Sequence, residues 1–170
     1  SAIRARLLSG SILQSDETGM RVGKKTWWTW VFHHGRDCCF VAAPSRGKDV
    51  VEEFLGGYRP DYWVSDRLAA QMGWARKEHQ VCLAHLIRDA QYAIDAGDDR
   101  FAQPLAKLLR EACAVGRRRE ALADATLRGH EAKLDKKLNA LLRVEPAGAE
   151  GKKLKTAILR FRQNLFVFVT

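Results

Sequence analysis

The sequence predicts a mixed α/β sheet followed by a basic, all-helical region, and three observations carry that prediction. Residues 11–65 hold four short segments rich in β-branched and aromatic residues, the composition of strands. A helix-period stretch lies between the third and fourth of them, which is the connection a parallel strand pair requires. Beyond residue 97 the apolar residues recur at three-to-four spacing, with many Lys and Arg between them.

In chain order, residues 1–10 show no decisive pattern and read as the end of a helix. Residues 12–16 form a first strand, closed by a turn at Gly19 and Gly23-Lys24-Lys25. Residues 26–32, with Trp27, Trp28 and Trp30, form a second. A loop over 33–37, where Gly35 can take positive φ, leads to a third strand over 38–42, antiparallel to the second. Pro44 and Gly47 break the pattern; Val50, Val51, Phe54 and Leu55 then mark a short helix stopped by Gly56 and Gly57. Residues 62–65 form a fourth strand, parallel to the first. Residues 67–72 suggest a helical turn or two with Asp66 as N-cap, 79–81 a fifth strand, and 82–96 a helix ended by Gly97. Three further helical stripes follow: Phe101 to Val115, Leu127 to Leu142, and Leu154 to Leu165, the last two separated by a loop at Pro146, Gly148 and Gly151. Residues 165–170 are apolar and β-prone, and read as a chain cut before its domain is complete.

At 170 residues, 46% apolar, one substantial core with an appended subdomain is expected. No apolar run approaches the ~20 residues of a membrane span, and the N-terminus lacks the apolar region of a signal peptide. A soluble, cytoplasmic protein is the expectation. Cys38 and Cys39 point to opposite faces of a strand, while Cys82 and Cys113 lie far apart in sequence, so reduced thiols are expected. The formal charge is +9, and residues 98–162 hold 16 Lys and Arg against 9 Asp and Glu. That excess favours a polyanionic partner, most simply nucleic acid.

Two acids stand out. Asp16 closes the first strand and Asp66 directly follows the fourth, so if these strands are neighbours the two carboxylates emerge side by side. Such a pair repels itself when ionised, and a divalent cation between the carboxylates removes the conflict; oxygen ligands suit Mg²⁺ or Mn²⁺. Taken singly each acid has a plainer reading, Asp16 in a turn and Asp66 as a helix cap. Only the topology lifts the pair above that.

Asp16-Glu17-Thr18-Gly19 after an apolar strand, the Trp-rich second strand, Ser65-Asp66-Arg67, and Cys82-Leu83-Ala84-His85-Leu86-Ile87-Arg88 opening a helix stand in this order and spacing. Together they resemble bacterial insertion-sequence DDE transposases of the IS66 type, and the resemblance covers nearly the whole chain. It implies a ribonuclease-H-like core over residues 1–97, a helical insertion over 98–164, and a return to the core from 165. It further implies that Asp16 and Asp66 are the first two acids of a catalytic triad holding Mg²⁺ or Mn²⁺. DNA, both transposon ends and target, would be the partner, and the active complex a homo-oligomer in the bacterial nucleoid. The third acid, a Glu in an Ala-Glu-Arg context, is matched by none of Glu111, Glu120, Glu131, Glu145 or Glu150 and is expected beyond Thr170. A basic binding module without catalysis, or a nuclease that cuts without joining, are the competing readings.

Lys24 and Lys25 in the hairpin turn and Arg67 beside Asp66 are the candidate phosphate contacts, expected to lie close to the metals. Arg117, Arg118 and Arg119 with Lys133, Lys136 and Lys137 could follow a DNA backbone or form a solvated face. Cys82 and His85, with His79 nearby in sequence, have a zinc-like spacing but lack a second ligand pair, so packing in support of the site is the preferred reading. Core packing is likewise preferred to base stacking for the tryptophans.

Overall fold

Five strands, β1 (Ile12–Val22), β2 (Lys25–His34), β3 (Asp37–Ala43), β4 (Tyr62–Ser65) and β5 (Glu78–Val81), make one sheet in the order β3-β2-β1-β4-β5 in a computed structural model. Residues 1–169 are described. β1 pairs antiparallel with β2, and β2 with β3, whereas β1–β4 and β4–β5 are parallel. Two-residue turns join the hairpins, and each begins with a glycine at φ +58, Gly23 and Gly35, a conformation that costs other residues a Cβ clash.

The crossover from β3 to β4 runs through helix α2 (Lys48–Leu55), which stops where Gly56 takes the left-handed conformation. Its inward residues Val51, Phe54 and Leu55 pack with Leu13, Trp30, Phe32 and Trp63 of the sheet, all nearly inaccessible to solvent. Phe32 stacks on Phe54 at 3.8 Å between ring centroids and meets Trp63 edge-on at 6.4 Å. Residues 1–10, patternless in sequence, contain a short helix α1 (Ala2–Leu7), whose Arg4 guanidinium donates to the Glu53 and Phe54 carbonyls at 2.9 and 2.7 Å. A cation there satisfies carbonyls that the end of α2 leaves without partners.

The first strand is much longer than its pattern predicts. No turn forms at Gly19; β1 continues to Val22, and a Cβ added at Gly19 would sit 3.6 Å from the Trp28 ring of the paired strand. The Asp-Glu-Thr-Gly composition therefore belongs to a strand. β2 and β3 are longer than expected as well, leaving only Gly35 and Arg36 in the second turn. Residues 67–72 yield one 3-10 turn, Ala69–Gln71, and Asp66 is not its N-cap.

The chain divides into two units, Ser1–Val81 and a second from Cys82 onward. The second is helical: α3 (Leu83–Asp95), α4 (Ala102–Gly116), α5 (Asp124–Leu141) and α6 (Ala149–Arg160). Leu105, Leu109, Leu134, Leu138 and Ile158 form the buried sides of three of these helices, as their spacing predicts. Asp98 is buried between the α3 and α4 helices in sequence; its Oδ1 accepts from Phe101 N at 3.0 Å and Ala147 N at 3.4 Å. Gly151 lies in the first turn of α6 rather than in a loop, and a Cβ there would overlap the Asp98 carboxylate. The terminal residues form 3-10 turns at Arg162–Asn164 and Val167–Val169 instead of a strand, and Thr170 lies outside the described residues. No helix among the described residues is long and apolar enough to cross a membrane.

Candidate metal centre

The parallel pair β1–β4 sets the geometry. Its register joins Ile12 with Tyr62, Leu13 with Trp63 and Gln14 with Val64, a constant offset of 50. The paired register ends at Gln14–Val64; Asp16 lies two residues beyond it on β1 and Asp66 two residues beyond it, just past the end of β4. Asp16 stands within the long β1 rather than at its tip, and Asp66 immediately follows β4. Asp16 Oδ1 accepts from the Glu17 backbone N–H at 3.0 Å. Asp66 Oδ1 accepts from Leu68 N at 2.8 Å, an Asx-type turn that fixes the carboxylate just beyond the strand.

Beneath them runs a chain of buried polar groups. Alternation puts Leu13, Ser15 and Glu17 on the core side of β1, and two of those three are polar. The Trp63 indole donates to Ser15 Oγ at 2.8 Å, and Ser15 Oγ donates to Gln71 Oε1. Gln71, wholly buried, donates through Nε2 to Glu17 Oε2 and, at 3.4 Å, to Asp66 Oδ1. The Glu17 carboxylate, 1% exposed, is also held by Arg46 at 2.6 Å, and the Arg46 guanidinium lies 4.5 Å over the Trp28 ring. Burial raises the Glu17 pKa above its ordinary value, the Arg46 hydrogen bond opposes that, and the charges of Asp66 and Asp16 push it further up. Three carboxylates thus share one electrostatic neighbourhood.

The donor set suits a hard cation. Mg²⁺ keeps several waters and is commonly held by one or two carboxylates, and Asp16 and Asp66 are oxygen donors of that kind. Glu17 is already committed to Arg46 and Gln71. No group of three or more His, Cys, Asp or Glu with metal-binding proximity occurs among the described residues, Asp16, Glu17 and Asp66 included. His79 Nε2 lies 3.2 Å from Ser65 Oγ, and burial lowers its pKa to about 4.

Lys24 and Lys25 are not beside the acids. They stand at the hairpin turn, six residues along β1 from Asp16 to the Val22–Lys25 pair, or about 20 Å at strand rise. Arg67 is half-buried next to Asp66. Cys82 occupies the N-cap position of α3 and His85 its first turn, both in the second unit. Trp30 is core; Trp27 and Trp28 are half-buried.

Sequence reading missed Ser15, Glu17, Arg46 and Gln71. The signal for two of them was present, because polar residues at 15 and 17 share the parity of Leu13. Gln71 and Arg46 come from segments without periodicity, and only the folded chain brings them in.

The sequence model described as "Transposase IS66 family" matches residues 1–170. Neither the curated proteins nor the solved structures give a match. The family match spans the motifs that flank both acids, and the chain belongs to the IS66 family of transposases.

Proposed function

We propose that this chain carries the catalytic acids of a metal-dependent DNA transposase, in which water cleaves a strand at the element's end and the freed 3′-hydroxyl then attacks a target phosphodiester, displacing the target strand's 3′-oxygen. The observation that supports the reading is the parallel pairing of β1 with β4, with Asp16 and Asp66 each two residues beyond the last paired residues Gln14 and Val64. In this reading both carboxylates hold Mg²⁺ or Mn²⁺, which when bound supplies Lewis acidity to the phosphodiester oxygens. Gln71 orients the Asp66 carboxylate, and Arg46 offsets the charge of Glu17 so that a third anion does not compete at the same edge. The sheet order, with an antiparallel β1-β2-β3 meander and parallel β4 and β5, supports a ribonuclease-H-like core. Residues 98–164 are then the helical insertion, with Cys82 and His85 in a supporting role and the third acid beyond Thr170.

The test uses a polypeptide extended past Thr170 and a supercoiled or end-bearing DNA substrate. It should nick with Mg²⁺ or Mn²⁺, and Asp16→Asn or Asp66→Asn should abolish nicking while melting temperature and DNA affinity hold. Undiminished cutting by either variant sinks the assignment. Steeply salt-dependent binding with no cutting at all would favour a binding module. Joining to target DNA separates a transposase from a nuclease.

A further inference from the structure

Beyond Gly19 no third strand among the described residues pairs with the β1–β2 hairpin. β4 pairs with β1 only through Gln14, and β3 pairs with β2 no further toward the turn than Trp28. Yet β1 and β2 remain paired through Gly19–Trp28, Met20–Trp27, Arg21–Thr26 and Val22–Lys25. Residues 18–26 are exposed on both faces, so this is a free two-stranded ribbon extending about 10 Å past Gly19.

Its chemistry is one-sided. From Thr18 to Arg36 there is no acid, while Arg21, Lys24 and Lys25 crowd the outer end. Parity puts Met20 and Val22 on the same face of β1 as Asp16, and the Thr29 hydroxyl contact to the Met20 sulfur at 3.1 Å agrees with it. Both residues are exposed, Met20 by 37% and Val22 by 46%. An isolated exposed ribbon with apolar side chains is an aggregation hazard, and a protein retains one where a partner covers it.

We infer that residues 19–26 form an arm that enters the major groove of duplex DNA, with Arg21, Lys24 and Lys25 on the phosphates and Met20 and Val22 against the base edges. The major groove of undistorted B-DNA admits a two-stranded ribbon, whereas entry to the narrower minor groove requires the duplex to be bent or widened. Cations without acids fit a polyanion, and the apolar face fits thymine methyl groups. The inference rests on the DNA reading of this chain but not on its catalysis.

The experiment measures binding of the full chain to a short duplex in EDTA over a range of salt. The triple variant Arg21→Ala, Lys24→Ala, Lys25→Ala should keep its melting temperature. It should lose roughly tenfold or more in affinity, and its log–log salt slope should shrink by about one unit per phosphate contact removed. Dimethyl sulfate footprinting should show guanine N7 protected by the wild type and not by the variant. Because EDTA keeps metal out of the measurement, failure of the arm and failure of the metal centre are read separately. Unchanged affinity and slope in the triple variant, displacement by a minor-groove ligand with N7 unprotected, or loss of self-association in place of DNA affinity would each overturn the inference.

Discussion

The two halves of β1 differ more than any two strands of the sheet. The inner half, 12–17, pairs with β4 through Gln14 and with β2 from Gln14 onward, with Leu13 and Ser15 buried and Glu17 tied to Arg46 and Gln71. The outer half, 18–22, is paired on one side only and exposed on both faces. One continuous strand therefore does two tasks. Placement of Asp16 comes from the buried contacts of Ser15 and Glu17, which flank it in sequence, and reach comes from the exposure of the residues beyond Gly19. The difference teaches that buried side-chain partners, more than strand pairing, decide which part of a strand is held within the core and which is left exposed.

The largest expected effect probes the buried side of the sheet. His79 has a folded pKa of about 4, below the ordinary imidazole value, because burial disfavours its charged form. The unfolded chain then binds more protons between the two values, so stability is full above pH ~6.5 and falls as pH drops toward 4, by about 3 kcal/mol in all. Denaturant midpoints measured across pH 4–7 should show that loss, and His79→Gln should flatten it. A flat wild-type profile would mean that the inner sheet admits water.

Next in size is the polar chain itself. Gln71→Leu keeps the volume but strands Ser15 and Glu17 without their amide partner, a loss of about 1–3 kcal/mol. Gln71→Glu should cost more, since it adds a fourth carboxylate beside Glu17, Asp66 and Asp16. Urea denaturation that ranks the two the other way would break the picture of Gln71 as an amide bridge between anions. The smallest effect belongs to the outer half: Val22→Thr, exposed and β-branched in both forms, should shift stability by less than about 0.5 kcal/mol. A large shift there would make the ribbon part of the scaffold after all.

Periodicity was enough to read the elements whose side chains face one way. Residues 62–65 and the α2 stripe of Val50, Val51, Phe54 and Leu55 are found where alternation and helix spacing place them. The same reasoning stopped β1 too early, because Gly19 carries a turn signal locally and the Trp28 ring that covers it is a cross-strand effect. Asp16 and Asp66 were visible as strand-end acids, although Asp16 is in fact interior to its strand. Gln71 was illegible for a physical reason. A lone amide in an irregular segment has no pattern, and it becomes informative only when folding sets it 3.4 Å from Asp66.

In the helical unit, Gly151 lies where a methyl group would overlap the Asp98 carboxylate, itself engaged with Phe101 N and Ala147 N. A saturation library should therefore find position 151 nearly closed to replacement, alanine included, despite alanine's advantage over glycine in a helix. Depletion at that codon should ease when Asp98 is shortened at the same time, as in Asp98→Ser. The pair would then register as co-dependent sites, a genetic signature of a steric lock far along the chain from Asp16 and Asp66.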